Sequence, residues 1–215
     1  MRMISLYNNI ESLKNFKNAS QQVGIHERKT PVMANYFFKK IKKYPLSISG
    51  VVSKNTSKRD IYKLLNNEIS DEIKSEPFYV NWLDDMSKIS QVFCNILGEK
   101  SISFWLGSQR GCKRYHVDMV PYRLLVTYTG QGTELLPNKA ANRKAFICGK
   151  PNKDIIKDKS ALSYVNEWDI AIFRGGNRGI LHRTPDSALN DDSSLLMRLD
   201  TFAFLEEVKR INNTA

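Results

Sequence analysis

The spacing of apolar residues changes near residue 100, and this change limits the possible folds more than any other feature of the sequence. From Ser101 onward, short runs rich in β-branched and aromatic residues are separated by Gly, Pro, Asn and Asp, as strands are separated by turns. The runs are SISFWLG, YRLLVTYTG, AFICG, WDIAIFRGG, GILHRT and LLMRLDTFAF. Because no helical pattern separates them, we expect a sandwich, jelly roll or barrel and not a parallel sheet.

The first hundred residues show helical spacing instead. Thr30 and Pro31 offer an N-cap and a first helical position, and Gly98 would end a later helix that begins near VNWLDD. We therefore predict an α+β chain that folds as one domain. Residues 1–100 would form a helical N-terminal elaboration, packed on a cupin-like double-stranded β-helix (jelly roll) formed by residues 101–207.

The composition indicates in which cellular compartment the protein would function. No run of about 18 apolar residues is present and the N-terminus has no apolar signal segment, so we expect a cytoplasmic protein with no membrane partner. Three cysteines without C-x-x-C spacing argue against a disulfide framework or a zinc knuckle. We expect Cys112 to be buried and not a fourth metal ligand.

Charge leaves the class of partner open. The formal net charge is +11, which suits nucleic acid or another anionic partner, but also a lysine- and asparagine-rich solvated surface. Nine of the twelve arginines lie in the second half of the chain. Because guanidinium binds carboxylates and phosphates through two parallel hydrogen bonds, this bias favours an anionic ligand in that half.

One pattern in the strand-rich half carries chemistry. His116 and Asp118 are two residues apart in an extended segment, so their side chains share a face, and His182 follows 64 residues later at another strand edge. Two histidines and one carboxylate form the facial triad of non-haem Fe(II) oxygenases, whose open positions admit O2 and a co-substrate. The alternative is a surface polar pair with an unrelated turn histidine.

Such oxygenases commonly use 2-oxoglutarate, whose distal carboxylate needs a cation. Arg198 interrupts an apolar strand and would require a partner if buried. That partner is either the co-substrate or Asp200, two residues further on the same face. Arg123 is a second candidate cation, with Thr127 and Tyr128 as hydrogen-bond donors beside it, and the sequence does not decide between the two arginines.

The stretch CKRYHVDMVPYRLLVTYTGQGTELLP, with the later GILHRTP and LLMRLD, resembles the bacterial domain-of-unknown-function family 1826 over roughly residues 80–203. This family has no settled activity, so the resemblance implies a grouping of residues and no reaction. The residues on its motif positions are His116, Asp118, Arg123, Thr127, Tyr128, Gly130, Gly132, Thr133, Glu134, His182 and Arg183. Glu134 is expected to cap the glycine turn or to pair with Arg183 or Arg143.

We therefore predict a non-haem Fe(II)-dependent oxygenase that uses O2 and 2-oxoglutarate to hydroxylate an unknown, anionic or small-molecule substrate. The metal ligands and catalytic residues would be His116, Asp118 and His182. The cofactor-binding residues would be Arg198, Arg123, Thr127, Tyr128 and Arg183. Two alternatives stay open: a non-catalytic divalent-metal-binding or sensor protein of cupin fold, and a nucleic-acid-directed dioxygenase.

Overall fold

Two β-sheets and a layer of helices make up the protein in a computed structural model that describes residues 3–43, 45–189 and 194–204. Seven strands form the large sheet and three form the small sheet. One face of the large sheet packs against the N-terminal helices, and the other face packs against the small sheet.

The strands and helices of the described ranges have the following bounds. The strands are β1 Ile4–Leu6, β2 Val23–His26, β3 Ser47–Ser53, β4 Ser101–Gly107, β5 Tyr122–Thr129, β6 Glu134–Leu136, β7 Ser163–Tyr164, β8 Ile170–Arg174, β9 Leu181–Arg183 and β10 Leu195–Thr201. The α-helices are α1 Ala34–Ile41, α2 Ser57–Asn66, α3 Asp71–Lys74, α4 Pro77–Leu97, α5 Arg143–Ile147 and α6 Asn152–Ile155.

The large sheet has the order β1-β2-β8-β5-β10-β4-β3. Only β1 and β2 pair in parallel, and every other neighbouring pair in this sheet is antiparallel. The small sheet has the order β7-β6-β9 and is antiparallel. Outside these strands, an antiparallel bridge joins His116 to His182 and so extends the small sheet by one short segment.

Side chains of β5 alternate between the two faces of the large sheet, as the two-residue period of a strand requires. Leu124, Val126 and Tyr128 pack in the core beneath the helices. Leu125 packs between the sheets with Leu135 of β6, and Arg123 lines a cleft on the same side. One strand therefore contributes both to the main core and to the cleft.

The neighbouring strand β10 repeats this division. Met197 and Leu199 are fully buried in the core beneath the helices, whereas Leu196 packs between the sheets. Arg198 lines the same cleft as Arg123. Because β10 lies between β4 and β5 in the centre of the sheet, its polar side chains are held at fixed positions relative to those of β5.

Aromatic rings fill the space between the helices and the large sheet. Tyr128 stacks on Phe38 of α1 with ring centroids 5.7 Å apart and an angle of 15° between the rings. Trp82 of α4 and Trp168 meet the Tyr128 ring edge-on. The Tyr128 hydroxyl donates a hydrogen bond of 2.9 Å to Asp85 of α4, which ties the helix layer to the sheet.

The mixed α+β class expected from the sequence is confirmed, but the first hundred residues are not purely helical. They contribute β1, β2 and β3 to the large sheet, where β2 pairs with β8 and β3 pairs with β4. A boundary at residue 100 therefore does not separate two structural units. Residues 205–207 of the predicted β-rich region lie outside the described residues.

Two local expectations are also wrong. The run AFICG is helical, because Asn142 caps α5 by accepting a hydrogen bond of 3.1 Å from the Ala145 amide. Gly149, with φ of 72°, follows this helix and allows the chain to turn. Helix α1 begins at Ala34 and not directly after Thr30, so Pro31 lies outside it.

No α-helix among residues 3–43, 45–189 and 194–204 is long and apolar enough to span a bilayer.

Replacing Tyr128 with Phe should lower the free energy of unfolding by roughly 1 kcal/mol, because it removes the hydrogen bond to Asp85 and leaves a half-buried carboxylate oxygen with one donor fewer. Urea unfolding measures this change. The matched control Tyr62→Phe, at an exposed position, should change stability by less than about 0.5 kcal/mol. Equal effects of the two variants would contradict the role given to Tyr128.

Candidate metal centre

His116 and Asp118, which are two residues apart, meet the distant His182 on the cleft side of the fold. The candidate ligand atoms of His116, Asp118 and His182 all lie within 4.8 Å of one another. The two histidine Nε2 atoms are 3.9 Å and 3.5 Å from the Asp118 carboxylate oxygens Oδ1 and Oδ2, respectively. Asp118 and His182 are buried, whereas the His116 side chain is 31% exposed.

Backbone pairing brings the two histidines together. His116 and His182 exchange backbone hydrogen bonds of 3.0 Å in each direction, and their ring centroids are 4.4 Å apart. Directly opposed residues of an antiparallel pair place their side chains on one face of the sheet. A single backbone bridge thus positions both imidazoles.

Glycine at position 175 allows the backbone after β8 to support Asp118. A Cβ atom there would lie 2.0 Å from the Val120 carbonyl oxygen and 2.5 Å from the Asp118 carbonyl oxygen. The next residue, Gly176, donates its amide to the same Asp118 carbonyl at 2.8 Å. Only glycine allows such a close approach, so Gly175 and Gly176 in the run FRGG hold the backbone of Asp118 in place.

Hydrogen bonds select the ring nitrogen that each histidine offers. Nδ1 of His116 lies 3.1 Å from the Arg114 carbonyl, and Nδ1 of His182 lies 3.1 Å from the Ile180 carbonyl. Because a carbonyl oxygen only accepts, we infer that each Nδ1 carries the proton and donates. Each Nε2 then keeps its lone pair and faces Asp118, as a metal ligand would.

The Asp118 carboxylate has one satisfied and one unsatisfied oxygen. Oδ1 accepts a hydrogen bond from Arg123 Nη1. Oδ2 is buried and accepts no hydrogen bond from the described residues. A buried carboxylate oxygen without a donor is costly, and a cation bound beside it would remove that cost.

The donor set fits one divalent transition-metal ion. Ligand atoms about 2.1 Å from a common ion lie roughly 3–3.5 Å apart, close to the two nitrogen-to-oxygen distances in the cluster. Two imidazoles and one carboxylate suit Fe(II), Zn(II) and related ions. His116, Asp118 and His182 are therefore the residues that would hold such an ion.

Burial keeps His182 neutral. Desolvation lowers the pKa of His182 to about 4, and the nearby Asp118 carboxylate opposes this shift only in part. A neutral imidazole is the form that binds metal, so His182 is ready to bind an ion at neutral pH without first losing a proton.

Arg123 and Arg198 share Asp200 unequally. Arg123 donates to both oxygens of Asp200, from Nε at 2.7 Å and from Nη2 at 3.2 Å. Arg198 Nε lies 3.1 Å from Asp200 Oδ2 but forms no hydrogen bond with any atom of the described chain. The Arg198 guanidinium lies over the Trp105 ring, 5.3 Å from the centroid, and burial lowers the pKa of Arg198. Arg198 is thus the less satisfied of the two cations.

Both histidines and both arginines border one cleft of about 100 Å³ between the sheets, and Asp118 is buried behind its wall. Arg110, which sequence reasoning did not single out, lies in the same wall, and its position in a Gly- and Cys-containing loop gave no periodic signal. Cys112 is exposed at the cleft and not buried as expected. Other side chains lining the cleft are Trp105, Leu125, Thr133, Thr184 and Leu196.

Two of the predicted cofactor-binding residues lie away from the cleft lining. Tyr128 points to the opposite face of the large sheet, into the aromatic core beneath the helices. Thr127 is on the cleft side of β5 but is buried, and a Cβ at Gly132 would lie 3.6 Å from its hydroxyl. The two-residue alternation of β5 explains why Tyr128 and Arg123 cannot serve one site.

The Arg183 guanidinium is already fully engaged. It donates from Nε and Nη2 to Glu134 at 2.9 Å and 3.1 Å, and from Nη1 to Asp186 at 2.6 Å. Tyr115 also donates to Glu134, and the Arg183 guanidinium lies 5.4 Å from the Tyr115 ring centroid. Of the two partners considered for Glu134, Arg183 is therefore the one used, and Arg183 supports β9 instead of offering a free charge to a ligand.

The fold and the cluster define an α+β protein with a candidate site for one metal ion. The chain belongs to the family described as Protein of unknown function (DUF1826), whose family model matches residues 8–200. The match begins well before residue 80, so strands β2 and β3 and helices α1 to α4 also belong to the region that the family shares.

No curated protein sequence matches the chain. Two similar solved structures are dioxygenase for auxin oxidation 1 from Arabidopsis thaliana and the apo form of a C-terminally truncated protein from Neurospora crassa. The first is 10% identical, with a TM-score of 0.37 and coverage of 93% of this chain and 94% of the other. The second is 9% identical, with a TM-score of 0.34 and coverage of 89% and 87%. Scores at this level establish neither a shared fold nor a shared activity.

The low pKa of His182 should make metal-free stability depend on pH. The unfolded chain takes up a proton near the ordinary value of 6.5, but the folded chain does so only near 4, so stability falls as pH drops through this window. We expect His182 to account for a loss of roughly 2–3 kcal/mol between pH 7 and pH 4.5. Urea unfolding of wild type and His182→Gln, with a chelator present, measures the difference. Parallel pH profiles would contradict the assignment.

Arg123 should set metal affinity by holding Asp118. Replacing Arg123 with Gln removes the hydrogen bond and ion pair that hold Oδ1 of Asp118 in place, so the affinity for Zn(II) should fall by roughly 10- to 100-fold. Competition with a chromogenic chelator measures this affinity. Arg114→Gln removes an exposed charge close to the site and should leave the affinity unchanged. A similar loss in both variants would point to a general charge effect.

Proposed function

We propose that this protein is a non-haem Fe(II)-dependent oxygenase that uses O2 and 2-oxoglutarate to hydroxylate a small-molecule substrate. The observation that carries the proposal is the buried Asp118 carboxylate, whose Oδ2 lacks a donor and lies 3.5 Å from His182 Nε2, while His116 Nε2 lies 3.9 Å from Oδ1. This set leaves positions around a six-coordinate ion open for ligands other than protein.

The strand order supports a double-stranded β-helix for this function. Strands β4, β10, β5 and β8 are consecutive in the large sheet. Opposite them, the segment bridged at His116 is followed by β9, β6 and β7. Two four-membered walls of this kind, with the candidate ligands between them, are the arrangement proposed for the metal-binding core.

When bound, Fe(II) would supply redox chemistry in which O2 hydroxylates a C–H bond while 2-oxoglutarate is oxidised to succinate and CO2. The chain's own residues provide the surroundings. Arg123 orients the Asp118 carboxylate by donating a hydrogen bond to Oδ1. Arg198, incompletely satisfied by Asp200, would bind the distal carboxylate of 2-oxoglutarate, and Leu125 and Leu196 would exclude water beside it.

The cleft favours a small ligand over a macromolecule. Its volume of about 100 Å³ is below the roughly 300–1,000 Å³ of typical pockets for drug-sized ligands. The net charge of +11 keeps a nucleic-acid-directed activity as a second possibility. A steep salt dependence of oligonucleotide binding would favour that activity.

Anaerobic titration with Fe(II), with and without 2-oxoglutarate, tests the proposal. Wild type should bind one Fe(II) and should develop the weak visible charge-transfer band of a chelated 2-oxo acid when 2-oxoglutarate is added. His116→Ala should abolish O2 consumption. Metal binding without the band or O2 consumption would favour a non-catalytic metal-binding or sensor protein, and no metal binding would overturn both.

Arg198→Gln should weaken the binding of 2-oxoglutarate without weakening the binding of Fe(II). It should raise the apparent Kd for 2-oxoglutarate by roughly tenfold or more, because a charge-assisted pair is lost. Fe(II) affinity should stay within about twofold, since Arg198 pairs with Asp200 and not with a candidate metal ligand. Arg178→Gln, an exposed substitution outside the cleft, is the matched control.

A further inference from the structure

Arg110 is a buried cation without an acidic partner. Only 5% of the residue is exposed, and it forms no ion pair with any carboxylate in the described part of the chain. Nη1 donates to the Gln131 carbonyl at 2.7 Å, and Nη2 donates to the Thr133 hydroxyl at 3.3 Å. Both acceptors are neutral, so the charge itself is uncompensated. Burial lowers the pKa of Arg110 to about 10, which still leaves the guanidinium charged at neutral pH.

The edge of Arg110 that carries Nε and Nη2 is only partly used, and the same edge binds carboxylates elsewhere in the protein. Arg123 holds Asp200 through Nε and Nη2, and Arg183 holds Glu134 through the same two atoms. In Arg110, Nε has no hydrogen-bond partner among residues 3–43, 45–189 and 194–204. Nε is also shielded from solvent, so a ligand must displace the Thr133 hydroxyl, whose 3.3 Å bond is the weaker of the two contacts.

The charge in and behind the cleft leaves room for one more anion. Four guanidinium groups line the cleft, and that of Arg183 is already paired with Glu134 and Asp186. The other three, those of Arg110, Arg123 and Arg198, face two carboxylates, those of Asp118 and Asp200. This excess of one positive charge rises by two with a divalent metal ion and falls by two with 2-oxoglutarate. One positive charge therefore remains when the metal and the co-substrate of the proposed function are both bound, and a desolvated charge of this kind favours a ligand of opposite sign.

We propose that Arg110 binds a carboxylate of the substrate, so that the substrate is a small carboxylic acid. The substrate assignment rests on the proposed function, in which Arg198 is occupied by 2-oxoglutarate. Carboxylate binding at Arg110 itself rests only on the burial, the unpaired Nε and the uncompensated charge of that residue. Thr133 supports the guanidinium from one side and lines the same cleft.

Ligand-observed NMR with propionate tests the proposal on the full chain, with propionamide as the uncharged control. In the first arm the protein is metal-free and carries Arg198→Gln, so that Arg198 contributes no anion binding. Propionate should bind and propionamide should not, and adding Arg110→Gln should raise the propionate Kd by roughly tenfold or more. Adding Arg178→Gln instead should leave the Kd unchanged. An unchanged Kd with Arg110→Gln would overturn the proposal.

The second arm uses wild type saturated with Zn(II) and 2-oxoglutarate. Propionate should still bind, and Arg110→Gln should weaken it as before. Displacement of propionate by 2-oxoglutarate would mean that Arg110 serves the co-substrate, which overturns the substrate assignment. If wild type binds no Zn(II), the proposed function fails while the first arm still decides the Arg110 site.

A measurement without substitution covers the case in which Arg110→Gln does not fold. In isotopically labelled wild type, the Nε–H resonance of Arg110 should shift on addition of propionate and stay in place with propionamide. An unmoved resonance under propionate saturation would overturn carboxylate binding at Arg110.

Discussion

The two-residue alternation of β5 and β10 is the constraint on which the rest of the structure depends. Each strand sends one set of side chains into the aromatic core beneath the helices and the other set into the cleft. The core side is apolar and close-packed, so the strands cannot shift by one residue without exposing it. That constraint keeps Arg123, Arg198 and Asp200 on the cleft side, although burying charged groups there is unfavourable in itself.

The cleft side of β5 and β10 is stable because each buried charge there lies next to a charge of opposite sign. Asp118 contacts Arg123, Arg123 contacts Asp200, and Asp200 lies beside Arg198. Compensation weakens from Arg123 to Arg198: Arg123 is bound to two carboxylates, whereas Arg198 Nε forms an ion pair with Asp200 but no hydrogen bond with the described residues. The least compensated positions, at Asp118 Oδ2, Arg198 and Arg110, are where ligands would contribute the missing charge.

Much of the site could be predicted from the sequence, because H-x-D spacing and strand periodicity are local signals. They placed His116 and Asp118 on one face, and the distal His182 was chosen from only three histidines. Tyr128 could not be excluded as a cofactor-binding residue until the register of β5 was known, because the residues beside it in the sequence do not show which face of the sheet each side chain occupies. Arg110 carries no local pattern, and its importance appears only from burial without an acidic partner.

The fold was predictable in class but not in detail for similar reasons. Strands β4, β5, β8, β9 and β10 have β-branched or aromatic runs bounded by turn residues. In contrast, β1 and β2 are short and acquire their structure by pairing, β2 with β8 and β1 with β2. The run AFICG has strand-like composition, but the Asn142 cap and Gly149 make it a helix. Tertiary pairing and capping outweighed intrinsic propensity in both cases.

The unequal exposure of the three candidate ligands has a kinetic consequence. Asp118 and His182 are buried against the sheets, whereas almost a third of the His116 side chain is open to solvent. An ion would therefore enter and leave past His116, the ligand that can swing away without opening the core. The lifetime of the bound ion would then be set by rotation of one exposed imidazole, while its equilibrium affinity is set by the two ligands behind it.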